Sequence, residues 1–285
     1  MRPRAVSSDV PAFRLGARAS LGGYGLRAFD TIGSTNAEAL AAVQAGQDGP
    51  LWFAALQQTA GRGRRGRAWS TPHGNLAASL LLVPDAEPAI AATLGFVAGV
   101  ALNQALGQVL PKGRFKVGID GADSTEGTRI ALKWPNDVLA DGAKLAGILL
   151  EAQKLPDGRS AVVVGFGVNI VAAPEGLPYP ATSLAALGAN DIDAPTVFEA
   201  LSNNWVENFA VWNSGRGAAD VFARWRASAA GIGAPVAVNR HGDIVRGVFE
   251  TIDDNGRLVI RVDDDSRIAI TAGDVHFGTM ATVAP

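Results

Sequence analysis

Gln58-Thr59-Ala60-Gly61-Arg62-Gly63-Arg64-Arg65-Gly66-Arg67-Ala68-Trp69 places four arginines and three glycines within the seven residues 61–67. An apolar run, Leu51 to Leu56, precedes this stretch, and the turn-rich Ser70-Thr71-Pro72-His73-Gly74-Asn75 follows it. Glycine permits positive φ and close backbone approach, so the stretch reads as a loop that folds guanidinium groups and free N–H donors around an anion. A phosphate or a carboxylate is its natural guest. Gly61-x-Gly63-x-x-Gly66 also matches a dinucleotide fingerprint, but that fingerprint must open a helix, and Trp69, Pro72 and Gly74 follow instead. An NAD enzyme would also need a ribose-binding acid about 20 residues on; Asp85 stands at that distance, but beyond a second strand-like run. The Gly-Lys-Ser/Thr of a P-loop is absent.

Around this loop the composition is that of an ordinary globular chain: 285 residues, 48% hydrophobic, with a formal net charge of −2. Such a length holds one large domain, or a large one and a small one. A dedicated nucleic-acid binder is normally basic overall, so a module that binds nucleic acid through the arginine loop is the competing reading rather than the preferred one. With no cysteine and three scattered histidines, a disulfide frame, a cysteine metal site and a thiol nucleophile are excluded, and a reducing, cytoplasmic setting fits. Neither an apolar run of 18 or more residues nor a signal-peptide core occurs, so no membrane partner is expected. Arg2, Arg4, Arg14 and Arg18 give the start a faint transit-peptide character, but residues 1–22 read as a flexible terminus.

Upstream of the loop, Tyr24 to Phe29 reads as a strand, and Ser34-Thr35-Asn36-Ala37-Glu38 leads into an alanine-rich helix with Thr35-x-x-Glu38 as a capping box. Downstream, Asn75 to Val83 is a strand, and Ala89 to Leu110 reads as one buried helix of about six turns. The polar, glycine-bearing Pro111 to Arg129 reads as an exposed insertion with a hairpin over Arg114 to Ile119. Ile130 to Leu139 and Lys144 to Glu151 read as strands joined through the hairpin turn Asp141-Gly142, with Trp134-Pro135-Asn136-Asp137 as a polar step interrupting the first. Ser160 to Ile170 is a buried-strand run that holds Gly165 and Gly167, marking either a bulge or a surface on which a ligand lies. Val197 to Trp212 and Ala218 to Ala227 carry an apolar stripe of aromatic residues and read as core helices. From Gly231 the chain changes to short alternating runs separated by turns, which predicts a small five-stranded barrel.

Several of these segments end in polar or cationic residues at a strand edge. Ser34-Thr35-Asn36, the Gln58 to Trp69 loop, Lys133-Trp134-Pro135-Asn136-Asp137, Gly142-x-Lys144-Leu145-x-Gly147-Ile148-Leu149-x-Glu151 and Gly165-x-Gly167-x-Asn169 together resemble the biotin protein ligases, in that family's order and at roughly its spacing. The resemblance covers about residues 24 to 280 and implies an α+β fold. Its core would be a mixed β-sheet with helices on one face, the biotin–lipoate ligase core related to class II synthetases, over residues 23–231. A small SH3-like β-barrel would follow over 232–285.

The activity implied is ATP-dependent: biotin's carboxylate attacks the α-phosphorus of ATP, giving biotinyl-5′-AMP and pyrophosphate, and a lysine of a biotin carboxyl carrier protein then takes the acyl group. Two unit charges about 4 Å apart repel by roughly 4 kcal/mol at an effective dielectric near 20, enough to slow the anionic encounter about a thousandfold. By the resemblance, Arg62, Arg64, Arg65, Arg67, Lys144 and Mg²⁺ supply the compensating charge. Ser34, Thr35 and Gln58 would hold biotin's ureido group, with Asn36 also in the biotin site. Gly61 belongs to the biotin loop, Trp69 would pack over the ligand, and Lys144 would bridge the carboxylate and α-phosphate. Lys133, Asn136, Asp137 and Asn169 would lie towards the nucleotide, with Mg²⁺ near Asp137 and Asp137 helping to deprotonate the acceptor amine. Gly147, Gly165 and Gly167 would let the ligands lie against the sheet. The arginine loop is expected to be disordered when empty, and a homodimer is possible. With only about 20 residues before the core, no DNA-binding domain and no repressor function are expected. A lipoate or octanoate ligase is the alternative within the same family, needing a long apolar slot where Ser34, Thr35 and Gln58 suggest a polar one.

Overall fold

The computed structural model describes residues 13–117, 127–240 and 243–277. Its centre is an eight-stranded mixed sheet whose strands are β1 (Gly25–Ile32), β2 (Leu51–Gln58), β3 (Leu76–Leu82), β4 (Phe115–Val117), β5 (Thr128–Lys133), β6 (Asp137–Ala140), β7 (Ala143–Lys154) and β8 (Ser160–Val168). They lie side by side in the order β1-β2-β3-β8-β7-β6-β5-β4. The two outermost pairings are parallel and the five between them antiparallel. β3 is buried at every position, which is why it reads as an unbroken apolar run rather than an alternating one.

Alternation along β2, β3 and β8 sends Trp52, Leu80, Val162 and Phe166 into the main core, and Phe53, Leu81 and Val163 to the opposite face. Helices α4 (Leu94–Val109), α5 (Ala194–Trp212) and α6 (Ala218–Arg226) contribute to the main core. The helices were expected on one face; α2 (Thr35–Gln44) instead covers part of the other, packing Ala39, Ala42 and Val43 on Phe53 and Leu81. The core behind the sheet is aromatic: Trp205, fully buried, meets Trp52 edge-on at 6.3 Å and stacks on Phe209 at 5.7 Å. Truncating Trp205 to alanine is therefore expected to destabilise the protein by about 3–5 kcal/mol, read as a lowered urea midpoint.

Several expectations are corrected. The residues before the core are packed from Phe13 on: Phe13 is buried edge-on against Phe198, and α1 (Ala17–Leu21) is tied to α5 through Gly16 N–H donating to Ser202 Oγ and Arg18 N–H donating to Asn203 Oδ1. Residues 1–12 lie outside the described residues. The single helix over 89–110 is two: α3 (Pro88–Ala91) ends where Thr93 Oγ1 donates to Ile90 O, before α4 begins. Pro88–Val109 is long and apolar enough to cross a membrane, but 67% of its most apolar window is buried within the protein.

In the insertion, β4 pairs parallel with β5, where a hairpin would pair antiparallel; residues 118–126, part of the expected hairpin among them, lie outside the described residues. Trp134-Pro135-Asn136-Asp137 does not interrupt one strand but reverses the chain between β5 and β6, which then pair Leu132 with Val138 and Lys133 with Asp137. The residue capping α2 is Ser34, not Thr35: Ser34 is extended and its Oγ accepts from Ala37 N–H, leaving Thr35 as the first helical residue.

The C-terminal unit is a five-stranded antiparallel sheet of β9 (Pro235–Arg240), β10 (Asp243–Ile252), β11 (Leu258–Arg261), β12 (Arg267–Ile270) and β13 (Asp274–Phe277), in the order β12-β11-β10-β9-β13. It shares the main core through Phe249, Ile252 and Leu258. The β10–β11 turn is its plug: Gly256, at φ +71°, lies against Phe96 and Phe222, and its carbonyl accepts from Trp134 Nε1–H at 2.9 Å. Trp134 thus fixes the polar step beside it to the second sheet.

Candidate active site

On the α2 face of the sheet, register builds a floor almost free of side chains. Ala77, Gly167 and Gly147 lie in one row across β3, β8 and β7, and Ser79, Gly165 and Leu149 in the next. The space a Cβ would need at Gly167 is taken by the Trp69 indole, and that at Gly165 by the Asn36 side chain. These glycines therefore seat two side chains of the chain itself, as well as lining a cleft with about 770 Å³ of unfilled space open to solvent.

The N-terminus of α2 forms one end of the cleft. Gln58 Oε1 accepts from the Thr35 backbone N–H at 2.8 Å, Gln58 Nε2 donates to Thr71 Oγ1, and Ser79 Oγ lies 2.7 Å from Thr35 Oγ1 and 2.5 Å from Asn36 Oδ1. Ser34, Thr35, Asn36 and Ser79 are all buried, so this end is polar and largely dry.

The arginine loop forms the wall above. Contrary to the expected disorder, it is a closed turn: Trp69 N–H donates to Gly61 O, Gly63 N–H donates to Arg67 O, and Arg62 bridges Ala68. Gly61 is required for this closure, because a Cβ there would strike the Trp69 carbonyl. The reason for the order is an anion supplied by the chain. Asp274 of β13 accepts from Arg65 Nη1 at 3.1 Å and from Arg67 Nη2 at 2.8 Å. Partial burial would raise its carboxyl, but the Arg67 hydrogen bond and the charges of Arg67, Arg65 and Arg64 outweigh that and hold it below the ordinary carboxylate range. Arg64 donates to Asn136 Oδ1 at 3.0 Å, and burial pulls its guanidinium below its usual value. Asn136 in turn donates from Nδ2 to Ile148 O, so the polar step of the β5–β6 turn locks onto β7.

Lys144 stands at the centre. Its Nζ is 2.7 Å from Asp137 Oδ1, and it lies over the rings of Trp69 at 5.4 Å and Tyr179 at 5.6 Å. Both partners of the ion pair are less than one-fifth exposed. Lys133 lies nearby over the Phe277 ring, and burial, with a smaller push from Lys144, lowers its ammonium below the usual lysine value against the pull of Asp137 and Asp274.

The cleft therefore brings together Ser34, Thr35, Asn36, Gln58, Arg62, Arg64, Arg67, Trp69, Asn136, Asp137, Lys144, Gly147, Gly165 and Gly167. It does not bring in four of the expected residues. Gly61 acts through the loop closure, Arg65 turns to Asp274, and Lys133 sits behind Asp137 towards the second sheet. Asn169 is buried, donating from Nδ2 to Thr182 O, so it supports the loop after β8 rather than facing a ligand. Two lining residues lie outside every motif read from the sequence, Tyr179 and Asp274. Tyr179 had a signal, an aromatic side chain between Pro178 and Pro180 in a loop with no core to join. Asp274 had none, being one acid among many in the C-terminal strands. Among the described residues no group of three or more His, Asp or Glu side chains could hold a metal.

The chain matches known proteins along most of its length. Residues 29–169 match the biotin/lipoate A/B protein ligase family, and residues 231–278 match the biotin protein ligase C-terminal domain. The sequence is 38% identical over 253 residues to the biotin–acetyl-CoA-carboxylase ligase of Paracoccus denitrificans, covering 86% of this chain and 97% of that protein. It is 35% identical over 261 residues to the ligase of the same description from Mycobacterium tuberculosis, covering 89% and 90%. Its fold is similar to that of the biotin protein ligase of Aquifex aeolicus, solved with biotin and ATP, at a TM-score of 0.70 and 21% identity over 89% of this chain and 99% of that one. With a ligase-family sequence, the matching C-terminal domain and a cationic cleft on a glycine floor, this chain belongs to the biotin protein ligases, enzymes of the biotin–acetyl-CoA-carboxylase ligase type.

Proposed function

We propose that the cleft makes biotinyl-5′-AMP and passes the biotinyl group to a carrier lysine with the following division of labour. Biotin's ureido head lies at the polar end formed by Ser34, Thr35, Asn36 and Gln58, with its fused rings on the Gly147–Gly167 floor under Trp69. Its carboxylate meets Lys144, and the α-phosphate of ATP meets Arg62, Arg64 and Arg67. The carboxylate oxygen bonds to the α-phosphorus as the bond to the bridging oxygen breaks, and pyrophosphate leaves with those electrons. In the second step the carrier amine attacks the acyl carbon, AMP leaves, and the amine loses a proton.

The observation that carries this reading is the position of Lys144, held between Asp137 and two aromatic rings at the junction of the polar end and the arginine wall. Asp137 and Asp274 act there as resting counterions. When an anionic substrate takes Lys144, Asp137 is released from its ion pair at the place where the acceptor amine must arrive. Asp137 is a single carboxylate, so it would supply one oxygen ligand to a Mg²⁺ held mainly by the phosphates, where the ion would offset their charge. The same carboxylate is the proposed proton acceptor for the carrier amine.

The lipoate reading is disfavoured by the buried hydroxyl and amide groups at the end of the cleft, since an alkyl or dithiolane end would leave them unpaired. The test is exchange of labelled pyrophosphate into ATP with Mg²⁺ and either acid. Stimulation by biotin and not by lipoate, followed by transfer to a carrier domain, is the expected result; stimulation by neither acid with folded protein overturns it.

A further inference from the structure

We propose that Glu151, at the far end of the polar network, is a positioning residue that fixes the hydrogen-bond polarity of the head pocket through Asn36 and Ser79. The inference rests on the ligase reading above and concerns how the site selects a cyclic urea.

Glu151 stands on β7 opposite Val163, one step beyond the Leu149–Gly165 pair on the same face. Asn36 is lodged in the space left by Gly165 and donates from Nδ2 to Glu151 Oε2 at 2.7 Å. A carboxylate offers only acceptors, so the amide must turn its NH₂ to Glu151 and its Oδ1 to Ser79. Ser79 has a single hydroxyl hydrogen but two oxygen neighbours, Asn36 Oδ1 at 2.5 Å and Thr35 Oγ1 at 2.7 Å. Because Asn36 Oδ1 can only accept, that hydrogen goes to it, and Ser79 Oγ must then accept from the Thr35 hydroxyl; Gln58 Oε1 also stands 3.1 Å from Thr35 Oγ1, but it already accepts the Thr35 backbone N–H and makes the longer contact.

The consequence reaches the cleft. With its hydrogen committed to Ser79, Thr35 Oγ1 turns a lone pair outward as an acceptor. Gln58 Oε1 is already taken by the Thr35 backbone N–H at 2.8 Å, so Gln58 faces the ligand with Nε2, whose other hydrogen goes to Thr71 Oγ1. An acceptor and a donor side by side complement an N–H and a C=O side by side, which is the edge of a urea. Ser79 is fully buried and Thr35 2% exposed, so no solvent is at hand to satisfy Thr35 Oγ1 when a ligand lacks the N–H. Without the carboxylate, Asn36 can flip, Ser79 can donate to Thr35 instead, and the polarity is lost.

The test measures equilibrium binding of biotin and of the two isosteric carbamates in which one or the other ureido N–H is replaced by oxygen. The wild type is expected to prefer biotin over one of the carbamates by on the order of tenfold or more. Glu151→Leu is expected to bring that ratio close to one while kcat for adenylation at saturating biotin stays near the wild-type value. Glu151→Gln keeps an acceptor oxygen for Asn36 and is expected to retain the preference. Ser79→Ala cuts the relay in its middle and is expected to lose it, which keeps the test decisive where Glu151→Leu fails to fold. An unchanged ratio in folded Glu151→Leu or Ser79→Ala, or an equal loss of affinity for all three ligands, overturns the relay. Absence of biotin-stimulated exchange in the wild type would instead overturn the ligase reading itself, so the two failures are separable.

Discussion

Lys144→Ala is expected to slow adenylate formation by about 100- to 1000-fold, the range seen when one preorganised charge partner of a developing anion is removed. Two losses combine. The ammonium between the Trp69 and Tyr179 rings disappears, and Asp137, 18% exposed at its side chain, is left as an uncompensated carboxylate facing the incoming one. At about 4 Å and an effective dielectric near 20, that second repulsion alone approaches 4 kcal/mol before screening. A Lys144→Ala, Asp137→Asn double variant should therefore recover part of the adenylation rate of the single variant, while remaining slow in transfer to the carrier. Rapid-quench measurement of adenylate in a single turnover separates the two steps. Additive losses in adenylation, with no recovery in the double variant, would show that Asp137 does not act as the resting counterion of Lys144.

What could be read from the chain alone followed from how local the signal was. The arginine loop, the Asp141-Gly142 turn and the glycines of β8 each announce a backbone requirement within a few residues, and each stands where the sequence placed it. Misreadings arose where a distant partner decides. Trp134-Pro135-Asn136-Asp137 looks like a kink in a strand until Trp134 is seen donating to Gly256 in the other sheet, 122 residues away. The capping assignment failed because Thr35 and Ser34 offer the same hydroxyl, and only the extended backbone of Ser34 and the claim of Gln58 on Thr35 N–H separate them. Four arginines in a glycine-rich loop suggested disorder because their internal counterion, Asp274, lies more than 200 residues downstream with no motif to mark it.

That counterion carries the second large expectation. Asp274→Lys is expected to raise the KM for ATP by a hundredfold or so, since it sets a fourth cation against Arg64, Arg65 and Arg67 at separations where each like-charge contact costs a few kcal/mol before screening. Asp274→Ala, which only releases the loop, should have a smaller effect, about tenfold, because the arginines remain available but are no longer held in place. Neither change should alter global stability much. The ion pairs are exposed on the arginine side, 39% for Arg65 and 60% for Arg67, and such pairs are worth about 0–1 kcal/mol, a few degrees in Tm at most. Trypsin reads the loop directly, because its arginines are cleavage sites only when the Gly61–Trp69 turn opens. Cleavage between Arg62 and Arg67 should accelerate in both variants with Tm nearly constant, and wild-type protection should weaken as salt is raised and screens the pairs. The lowered pKa of Asp274 means that its latch contributes fully at neutral pH and is lost only as pH falls through that lowered value. Protection from trypsin that is the same in wild type and Asp274→Ala would show that the loop holds itself closed through its own backbone bonds, and that the second sheet contributes nothing to the arginine wall.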